Sequence, residues 1–211
     1  MIHYYMYDLE STGLKAGFHE INQISIIRIS DNFQKTINIA VEHPERASQQ
    51  VLDIQKITRA DLKRGIKKQQ AVEEINSFFN EDGAGPEARC IVGHNIAFDR
   101  RHSHALWEQE KVRFPADLWL CTKKLMSTYV KKYGQAQVME LQKTEKVKYG
   151  LDMCLIGLGL KPKFGAHSAT IDTQNNLVLY NHLLSQNLNH VRVIENIPHK
   201  TKDIDIYYDF D

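Results

Sequence analysis

Three stretches of mixed apolar and aromatic residues in the first 41 positions have the length and composition of β-strands. They run from Tyr4 to Asp8, from Gln23 to Ser30 and from Lys35 to Val41. Short runs rich in β-branched and aromatic residues, bounded by turn residues, are typical of strands. The second and third stretches are separated by the turn sequence SDNFQ. We therefore predict that these stretches form an antiparallel meander.

Helical spacing of apolar residues dominates the rest of the chain, with two short strands between the helices. The predicted order is a helix over Arg59 to Arg64, a helix over Gln69 to Asn80, a strand over Cys90 to Val92, a helix from Asn95, a strand near Leu118 to Cys121, and several helices that reach Leu184. This order predicts an α/β fold, with a mixed central sheet flanked by helices.

One domain accounts for most of the chain. With 211 residues, 42% of them hydrophobic and 25% charged, the chain is large enough for a single substantial core. We assign residues 1–187 to this domain and residues 188–211 to a C-terminal extension. The extension closes with KDIDIYYDFD, whose four aspartates would be repelled by nucleic acid. We expect this acidic tail to be disordered or to dock on a partner.

The apolar runs and the cysteines indicate the setting in which the protein works. No apolar run approaches the 18 residues that a membrane span needs, and the amino terminus lacks the basic and then apolar order of a signal peptide. Cys90, Cys121 and Cys154 are widely spaced and form no C-x-x-C pair. This pattern indicates neither a disulfide framework nor a structural zinc site. We expect a cytoplasmic protein that does not contact the membrane.

Positive charge is concentrated in two segments although the formal net charge is only +1. Nine Lys or Arg residues stand against three acidic residues between Lys111 and Lys148, and six stand against one between Lys56 and Lys68. These segments could flank a cleft and attract phosphate groups. Equally, the lysines could form ordinary solvated helix faces.

An acidic pair ends the first predicted strand, in the sequence YDLESTG. Asp8 and Glu10 are two residues apart, and residues at this spacing project from the same face of a strand. The two carboxylates could therefore bind one cation. A D-x-E sequence is also common by chance, and a solvated strand end is the alternative interpretation of this fragment alone.

A third carboxylate follows the strand over Cys90 to Val92, in the sequence GHNIAFD. Asn95 is a plausible N-cap of the helix that follows, which puts Asp99 about one turn inside that helix. A carboxylate at this position can serve a site at the helix end. It can also merely complement the helix dipole.

A histidine and a fourth carboxylate occur together in the sequence HSATID. His167 and Asp172 are five residues apart, which on a continuous helix separates them by about 140°. They can serve one site only if His167 lies on the approach to the helix. Gly159, Pro162 and Gly165 precede it and are loop signals, so we expect this arrangement.

The three fragments together resemble the motifs of the DEDD superfamily of 3′-to-5′ exonucleases, in the branch whose fifth site residue is histidine. DLESTG, HNIAFD and HSATID are similar to the family patterns D-x-E-T-T-G, H-N-x-x-F-D and H-x-x-x-x-D, and the proofreading members are most alike. The chain departs from the pattern at Ser11, a threonine in most members, at Cys121, often an aspartate, and in a longer connection over residues 130–149. The resemblance implies an RNase H-like fold.

The resemblance also implies a site that holds two divalent cations, Mg²⁺ or Mn²⁺. Four converging carboxylates repel one another, by roughly 4 kcal/mol for a pair about 4 Å apart at an effective dielectric of 20, and cations would relieve this repulsion. By resemblance, Asp8 bridges both ions, Glu10 and Asp172 complete one ion site, and Asp99 holds the other ion largely through water. His167 is then the general base that takes the proton of the attacking water, and the product is a nucleoside 5′-monophosphate.

Substrate contacts follow from the resemblance for five positions. Ser11, Thr12, Gly13 and Leu14 correspond to residues that touch the terminal nucleotide through backbone N–H groups and an apolar wedge, and Asn95 corresponds to a residue that lines the same pocket. The expected partners are 3′ ends of single-stranded DNA or RNA, together with a polymerase or another replication protein.

The sequence leaves three functions open. The first is a metal-dependent 3′-to-5′ exonuclease that acts on single-stranded ends, with DNA favoured because the motifs are most like those of proofreading members. The second is an exoribonuclease of the same fold, since contact with a 2′-OH depends on the shape of the pocket. The third is a non-catalytic domain that binds nucleic acid or a polymerase. Intact residues at all five catalytic positions favour the enzymes.

Overall fold

A mixed six-stranded sheet forms the centre of the molecule, in a computed structural model that describes residues 1–163, 167–188 and 190–199. The strand order across the sheet is β3-β2-β1-β4-β5-β6. The strands are β1 (His3–Ser11), β2 (Ile21–Arg28), β3 (Phe33–Asn38), β4 (Arg89–Gly93), β5 (Leu118–Cys121) and β6 (Ile194–Asn196).

The antiparallel meander predicted for the first three strands is confirmed. β1 pairs with β2 in a register that sets Asp8 opposite Ser25 and Glu10 opposite Gln23, and β2 pairs in turn with β3. The ladder between β1 and β2 has an irregularity between Glu10 and Ser11, and the loop that leads to β2 follows Ser11, the last residue of β1.

The two strands predicted in the middle of the chain lie parallel to β1. β4 pairs with β1, with Met6 opposite Val92, and β5 pairs with β4, with Gly93 opposite Cys121. The carboxyl ends of β1, β4 and β5 therefore lie along one edge of the sheet, which we call the carboxyl edge. In sheets of this kind, ligands bind beyond the carboxyl ends of the strands.

Seven α-helices cover the two faces of the sheet in the described part of the chain. They are α1 (Gln49–Gln55), α2 (Lys68–Asn80), α3 (Ala97–Gln109), α4 (Thr122–Tyr133), α5 (Ala136–Gln142), α6 (Leu151–Gly157) and α7 (Ala169–Ser185). The buried face of α2 and part of α3 pack with one side of the sheet, and side chains of α4 to α7 pack with the other. The α/β class and the mixed sheet flanked by helices are as predicted.

The prediction of a helix over Arg59 to Arg64 is wrong. Only a single 3-10 turn, Asp61–Lys63, forms there, because Arg64 is extended and Gly65 has a φ of +121°. The backbone then pairs with the end of β3, where the Ile66 N–H donates to the Asn38 carbonyl at 3.0 Å. This pairing uses backbone groups that a continued helix would have needed.

The predicted N-cap role of Asn95 is also wrong. Asn95 has a φ of +61°, in the left-handed region, which asparagine tolerates better than most residues. The helix starts two residues later, at Ala97, and Ile96 occupies the cap position without a side-chain cap hydrogen bond. The left-handed turn leaves the Asn95 side chain exposed at the carboxyl edge.

The first part of the C-terminal extension packs on the domain. β6 pairs antiparallel with β5, and the Ile197 N–H donates to the Asp117 carbonyl at 2.8 Å. The His199 Nδ1 accepts a hydrogen bond from the Phe114 N–H at 3.0 Å. The acidic tail predicted at the end of the chain lies outside the described residues. None of the described helices has the length and apolar character to cross a membrane.

Candidate functional site

Three carboxylates converge at the carboxyl edge. Asp8, Glu10 and Asp172 each offer an oxygen, and these oxygens all lie within 4.8 Å of one another. Asp8 and Glu10 share one face of β1 because residues two apart on a strand project to the same side, and Asp172 reaches them from the first turn of α7. We call these three residues the carboxylate cluster.

Two glutamines of the meander position the start of α7 over the cluster. The Gln23 Oε1, opposite Glu10 in the sheet, accepts a hydrogen bond from the Ala169 N–H at 2.9 Å. The Gln34 Nε2 donates to the Thr170 carbonyl at 3.0 Å, and the Gln34 Oε1 accepts from the Gln174 side chain at 2.6 Å. Because Ser168 makes no side-chain cap, the Gln23 side chain takes the place of an N-cap.

Asp99 lies beside the cluster and approaches it from α3. It is only 3% exposed, and its Oδ1 accepts a hydrogen bond from the Leu9 N–H at 3.2 Å. This bond joins the first turn of α3 to the backbone between the two acidic residues of β1. The fourth carboxylate is thus near the other three without belonging to the tight group.

Burial and mutual repulsion raise the pKa values of all four carboxyl groups. Burial raises the pKa of Asp8 well above its ordinary value, and the negative charges of Asp99 and Asp172 add to the shift. Burial also raises the pKa of Glu10 to about 7, with a further contribution from Asp172, and the pKa of Asp99 to about 8. The pKa of Asp172 is raised, again mainly by burial. The group therefore favours neutralisation, by protons or by cations.

His167 lies immediately before α7 on the approach turn. Its φ of +66° is left-handed, its side chain is exposed, and its backbone N–H donates to the Asp172 Oδ2 at 3.1 Å. The turn brings the histidine next to the cluster, which a continuous helix would not do. Gly165, one of the loop signals before it, lies outside the described residues.

The loop after Glu10 is held mainly by its own polar groups. The Ser11 hydroxyl donates to the Gly13 carbonyl at 2.6 Å. The Thr12 N–H donates to the Glu20 carbonyl at 2.9 Å, and the Thr12 hydroxyl accepts from the Glu20 N–H at 3.0 Å. Ser11 and Thr12 are buried, whereas the Leu14 side chain is 82% exposed. Among the four residues from Ser11 to Leu14, Leu14 is thus the one whose side chain faces solvent.

Gly13 lies against the ring of His19. A Cβ at Gly13 would lie 2.5 Å from two ring atoms, which is closer than any real contact. The His19 Nδ1 also accepts a hydrogen bond from the Lys15 N–H at 3.0 Å. The absence of a side chain at position 13 therefore lets the loop pack closely on His19.

His94 is a structural member of the site to which the sequence interpretation assigned no role. Its Nε2 is 2.8 Å from the Tyr149 carbonyl, and its Nδ1 is 3.0 Å from the Thr122 hydroxyl, which donates in turn to the Asn176 side chain. His94 thus connects β4 to α4, α7 and the approach to α6. The only signal in the sequence was its place before Asn95 in the second motif.

The donor set fits divalent cations of the hard type. Mg²⁺ and Mn²⁺ prefer carboxylate oxygens and water, and the cluster supplies three carboxylates with the fourth, Asp99, close by. The raised pKa values of these groups indicate that their charges lack compensation from the protein. The cluster could hold a metal ion of this class.

Comparison with known proteins gives one family match and one related sequence. A family model described as "Exonuclease" (RNase_T) matches residues 5–180. A DNA polymerase III of the PolC type from Mycoplasmopsis pulmonis (strain UAB CTIP) is 31% identical over 98 residues, which are 46% of this chain and 6% of the polymerase. The chain therefore spans only a small part of that relative.

Solved structures share the fold at low sequence identity. The zinc-bound complex of E. coli ExoI with single-stranded DNA superposes with a TM-score of 0.72 at 14% identity, over 91% of this chain and 42% of ExoI. The nuclease domain of 3′hExo, a DEDDh family member bound to rAMP, superposes with a TM-score of 0.64 at 13% identity, over 87% of this chain and 92% of that domain. The RNase H-like architecture is confirmed by these similarities.

Proposed function

The chain belongs to the exonuclease family, and from this premise we propose that it removes nucleotides one at a time from the 3′ ends of single-stranded nucleic acid. The observation that carries the proposal is the convergence of Asp8, Glu10 and Asp172 within 4.8 Å. Half-buried carboxylates so close together have no evident structural use, because their repulsion destabilises the fold. A metal-dependent phosphodiester hydrolase can use such a group to hold its cations.

The four acidic residues are the proposed ligands of two divalent cations, Mg²⁺ or Mn²⁺. Asp8 would contact both, Glu10 and Asp172 would complete one site, and Asp99 would serve the other. When bound, such a pair supplies positive charge that offsets the carboxylates and the charge that develops on the phosphate and the leaving oxygen.

His167 is the proposed general base. Its position on the turn before α7, next to Asp172, supports this role, and its exposed side chain can reach a water at the cluster. In the proposed step the imidazole takes a proton from water as the water oxygen bonds to phosphorus. The bond from phosphorus to the 3′ oxygen of the preceding nucleotide breaks, that oxygen takes a proton from solvent water to become the new 3′ hydroxyl, and a nucleoside 5′-monophosphate leaves.

The loop after Glu10 is the proposed site of the terminal nucleotide. Leu14 offers the exposed apolar contact for its base, and Gly13 lets the backbone approach closely. Ser11 and Thr12 shape this loop through their internal hydrogen bonds, and the exposed Asn95, which follows β4, is the further residue proposed to contact the terminal nucleotide.

DNA is the favoured substrate because the matched relative is a DNA polymerase, which also supports association with a replicative polymerase. RNA is the second candidate, supported by the rAMP that the structurally similar 3′hExo domain binds. Parallel digestion of DNA and RNA oligonucleotides of the same sequence discriminates between them.

The test uses single-stranded oligonucleotides labelled at the 5′ end, with Mg²⁺ or Mn²⁺ and with EDTA. We expect a ladder of products shortened from the 3′ end, no products in EDTA, and no attack when the 3′ end carries a phosphate. The variant Asp8→Asn should give no products. Asp53→Asn, which changes an exposed aspartate of α1, is the control variant and should be as active as the wild type. Binding without hydrolysis would indicate the non-catalytic alternative, and cutting of circular strands would indicate an endonuclease.

A further inference from the structure

A second cavity opens at the carboxyl edge, beyond the ends of β4 and β5. Its volume is about 370 Å³, and its walls include Lys123, Lys124, Ser127 and Tyr149. We call these four residues the lysine groove. Pockets for small ligands measure about 300–1,000 Å³, so the groove has room for one nucleotide.

The lysine groove lies beside the candidate active site along the carboxyl edge. Asn95 and Ala97 also line the cavity, and Asp99 follows them in the first turn of α3. Gly93 and Cys121 are neighbours across β4 and β5, so the groove is the next position along the edge from β1. A single-stranded nucleic acid whose 3′ end lies at the carboxylate cluster can therefore extend into the lysine groove.

The lysine groove has an excess of positive charge. Lys123 and Lys124 lie in the first turn of α4, which contains no acidic residue, and Cys121 provides no side-chain cap. The N-terminus of a helix carries partial positive charge, so two cations at this position are destabilising. Lys123 is exposed and makes no ion pair with any residue in the described ranges. A phosphate group would offset both sources of positive charge.

A carboxylate on strand β6 already offsets part of this positive charge. Glu195 lies on β6 opposite Trp119 and forms ion pairs with Lys124 and, at 3.7 Å, with Arg100. The side chains of Lys124 and Glu195 are 55% and 41% exposed, so water screens their ion pair and it contributes little to stability. A phosphate can therefore displace Glu195 from Lys124, while Glu195 keeps its contact with Arg100, whose side chain is only 20% exposed.

We propose that the lysine groove binds an internal nucleotide of the single strand, upstream of the one being removed, and that Glu195 weakens this binding by competing with the phosphate for Lys124. Lys123 contacts the phosphate, and Tyr149 offers an aromatic side chain on which a base can stack. The inference rests on the proposed function, whose terminal-nucleotide pocket it extends.

The test measures binding of a fluorescent eight-nucleotide DNA strand by anisotropy in EDTA, where no turnover is needed. Lys123→Ala should weaken binding roughly threefold to tenfold and reduce the slope of log affinity against log salt by about 0.7, as expected for one lost phosphate contact on a single strand. Glu195→Gln should change affinity in the opposite direction. Lys131→Ala, at an exposed lysine in the last turn of α4, should match the wild type.

Hydrolysis of a short and a long substrate tests the lysine groove separately from the proposed function. The p-nitrophenyl ester of thymidine 5′-monophosphate occupies only the terminal pocket, so Lys123→Ala and Glu195→Gln should leave its kcat/KM unchanged while shifting KM for the eight-nucleotide strand in opposite directions. Identical anisotropy titrations for the wild type and both variants would overturn the lysine groove. A wild type that hydrolyses neither substrate would overturn the proposed function, and the anisotropy result would still decide the groove.

Discussion

The charge of Asp8 should be required for activity and should lower the stability of the protein. Its carboxyl group is half-buried among like charges, and its pKa is raised by both effects. We expect Asp8→Asn to abolish hydrolysis, because a proposed ligand of both cations is lost. In EDTA at pH 8, its Tm should equal or exceed that of the wild type, because a repulsive charge is removed.

Calorimetric unfolding beside the oligonucleotide assay measures both halves of this prediction. Asp53→Asn, which removes a charge outside the cluster, should leave activity and Tm nearly unchanged. Wild-type activity in Asp8→Asn would exclude Asp8 from the active site.

His167 should affect the rate far more than the binding of cations. It is assigned to proton transfer, so His167→Ala should lower kcat by roughly 10²–10⁴-fold, the range of general base catalysis. Titration with Mn²⁺ by calorimetry should give nearly the same affinity as the wild type. His43→Ala, at an exposed histidine near β3, is the matched control. Loss of Mn²⁺ binding together with activity would make His167 a ligand and contradict the base assignment.

Helix α7 depends on the meander for its position. The acceptor for the Ala169 N–H comes from Gln23 on β2, and Gln23→Ala removes it. Loss of a helix cap costs about 1 kcal/mol, and we expect a loss of unfolding free energy of this size. Because Asp172 lies in the same first turn, kcat should fall by more than this loss of stability explains.

Urea denaturation and steady-state kinetics provide the two measurements for Gln23→Ala. Gln69→Ala, on the exposed side of α2, should change neither. A Gln23→Ala protein with reduced stability and unaltered kcat would mean that Asp172 keeps its position without this bond.

Local patterns were sufficient for the elements that have long periodic signals. The strands of the meander and the helix over Lys68–Asn80 were predicted to within a few residues because each carries its own alternation or helical spacing. α1 was missed because it is only seven residues long and buries one of them, Leu52. β6 was missed because three residues give no pattern, and its pairing with β5 is decided by contacts distant in sequence.

The functional site likewise contains residues that the sequence predicted and contacts that it did not. The ordered motifs were enough to select the acidic residues and His167, because spacing on strands and helices limits which side chains can meet. The contact between Gln34 and Gln174 joins residues 140 positions apart, and the ion pair between Lys124 and Glu195 also joins distant segments. Neither contact produces a pattern in the local sequence. The role of Gln34 in positioning α7 and the role of Glu195 beside the lysine groove could therefore be recognised only in the folded structure.

The stability of the whole molecule should depend on pH through the acidic group. In the unfolded chain these carboxyls titrate near pH 4, whereas in the folded protein the pKa of Glu10 is about 7 and that of Asp99 about 8. Between these values the four carboxyl groups bind more protons in the folded state than in the unfolded state, which lowers stability as pH rises. Histidines such as His102 and His104, whose pKa values burial lowers to about 4 and about 3, have the opposite effect below about pH 7, where histidines of the unfolded chain become protonated. We therefore expect the Tm in EDTA to fall between pH 7 and pH 8.

Divalent cations should reverse this trend, because they bind the ionised form and only the folded state assembles the cluster. Thermal melts across this pH range, with EDTA and with saturating Mg²⁺, provide the measurement. In Asp8→Asn the decline in EDTA should be shallower. A Tm that rises between pH 7 and pH 8 in EDTA would contradict the raised pKa values.

The short strand β6 also determines whether one side of the sheet is open to other molecules. β5 consists of the apolar sequence LWLC, and without β6 its outer N–H and C=O groups would have no partner in the sheet. Such an edge is a template on which a second copy can add a strand. Because α4 to α7 lie between β5 and β6 in the sequence, the pairing that covers this edge joins distant segments, and such pairings form slowly. The three residues of β6, Glu195 among them, therefore protect the folded protein from adding a strand of a second copy at this edge.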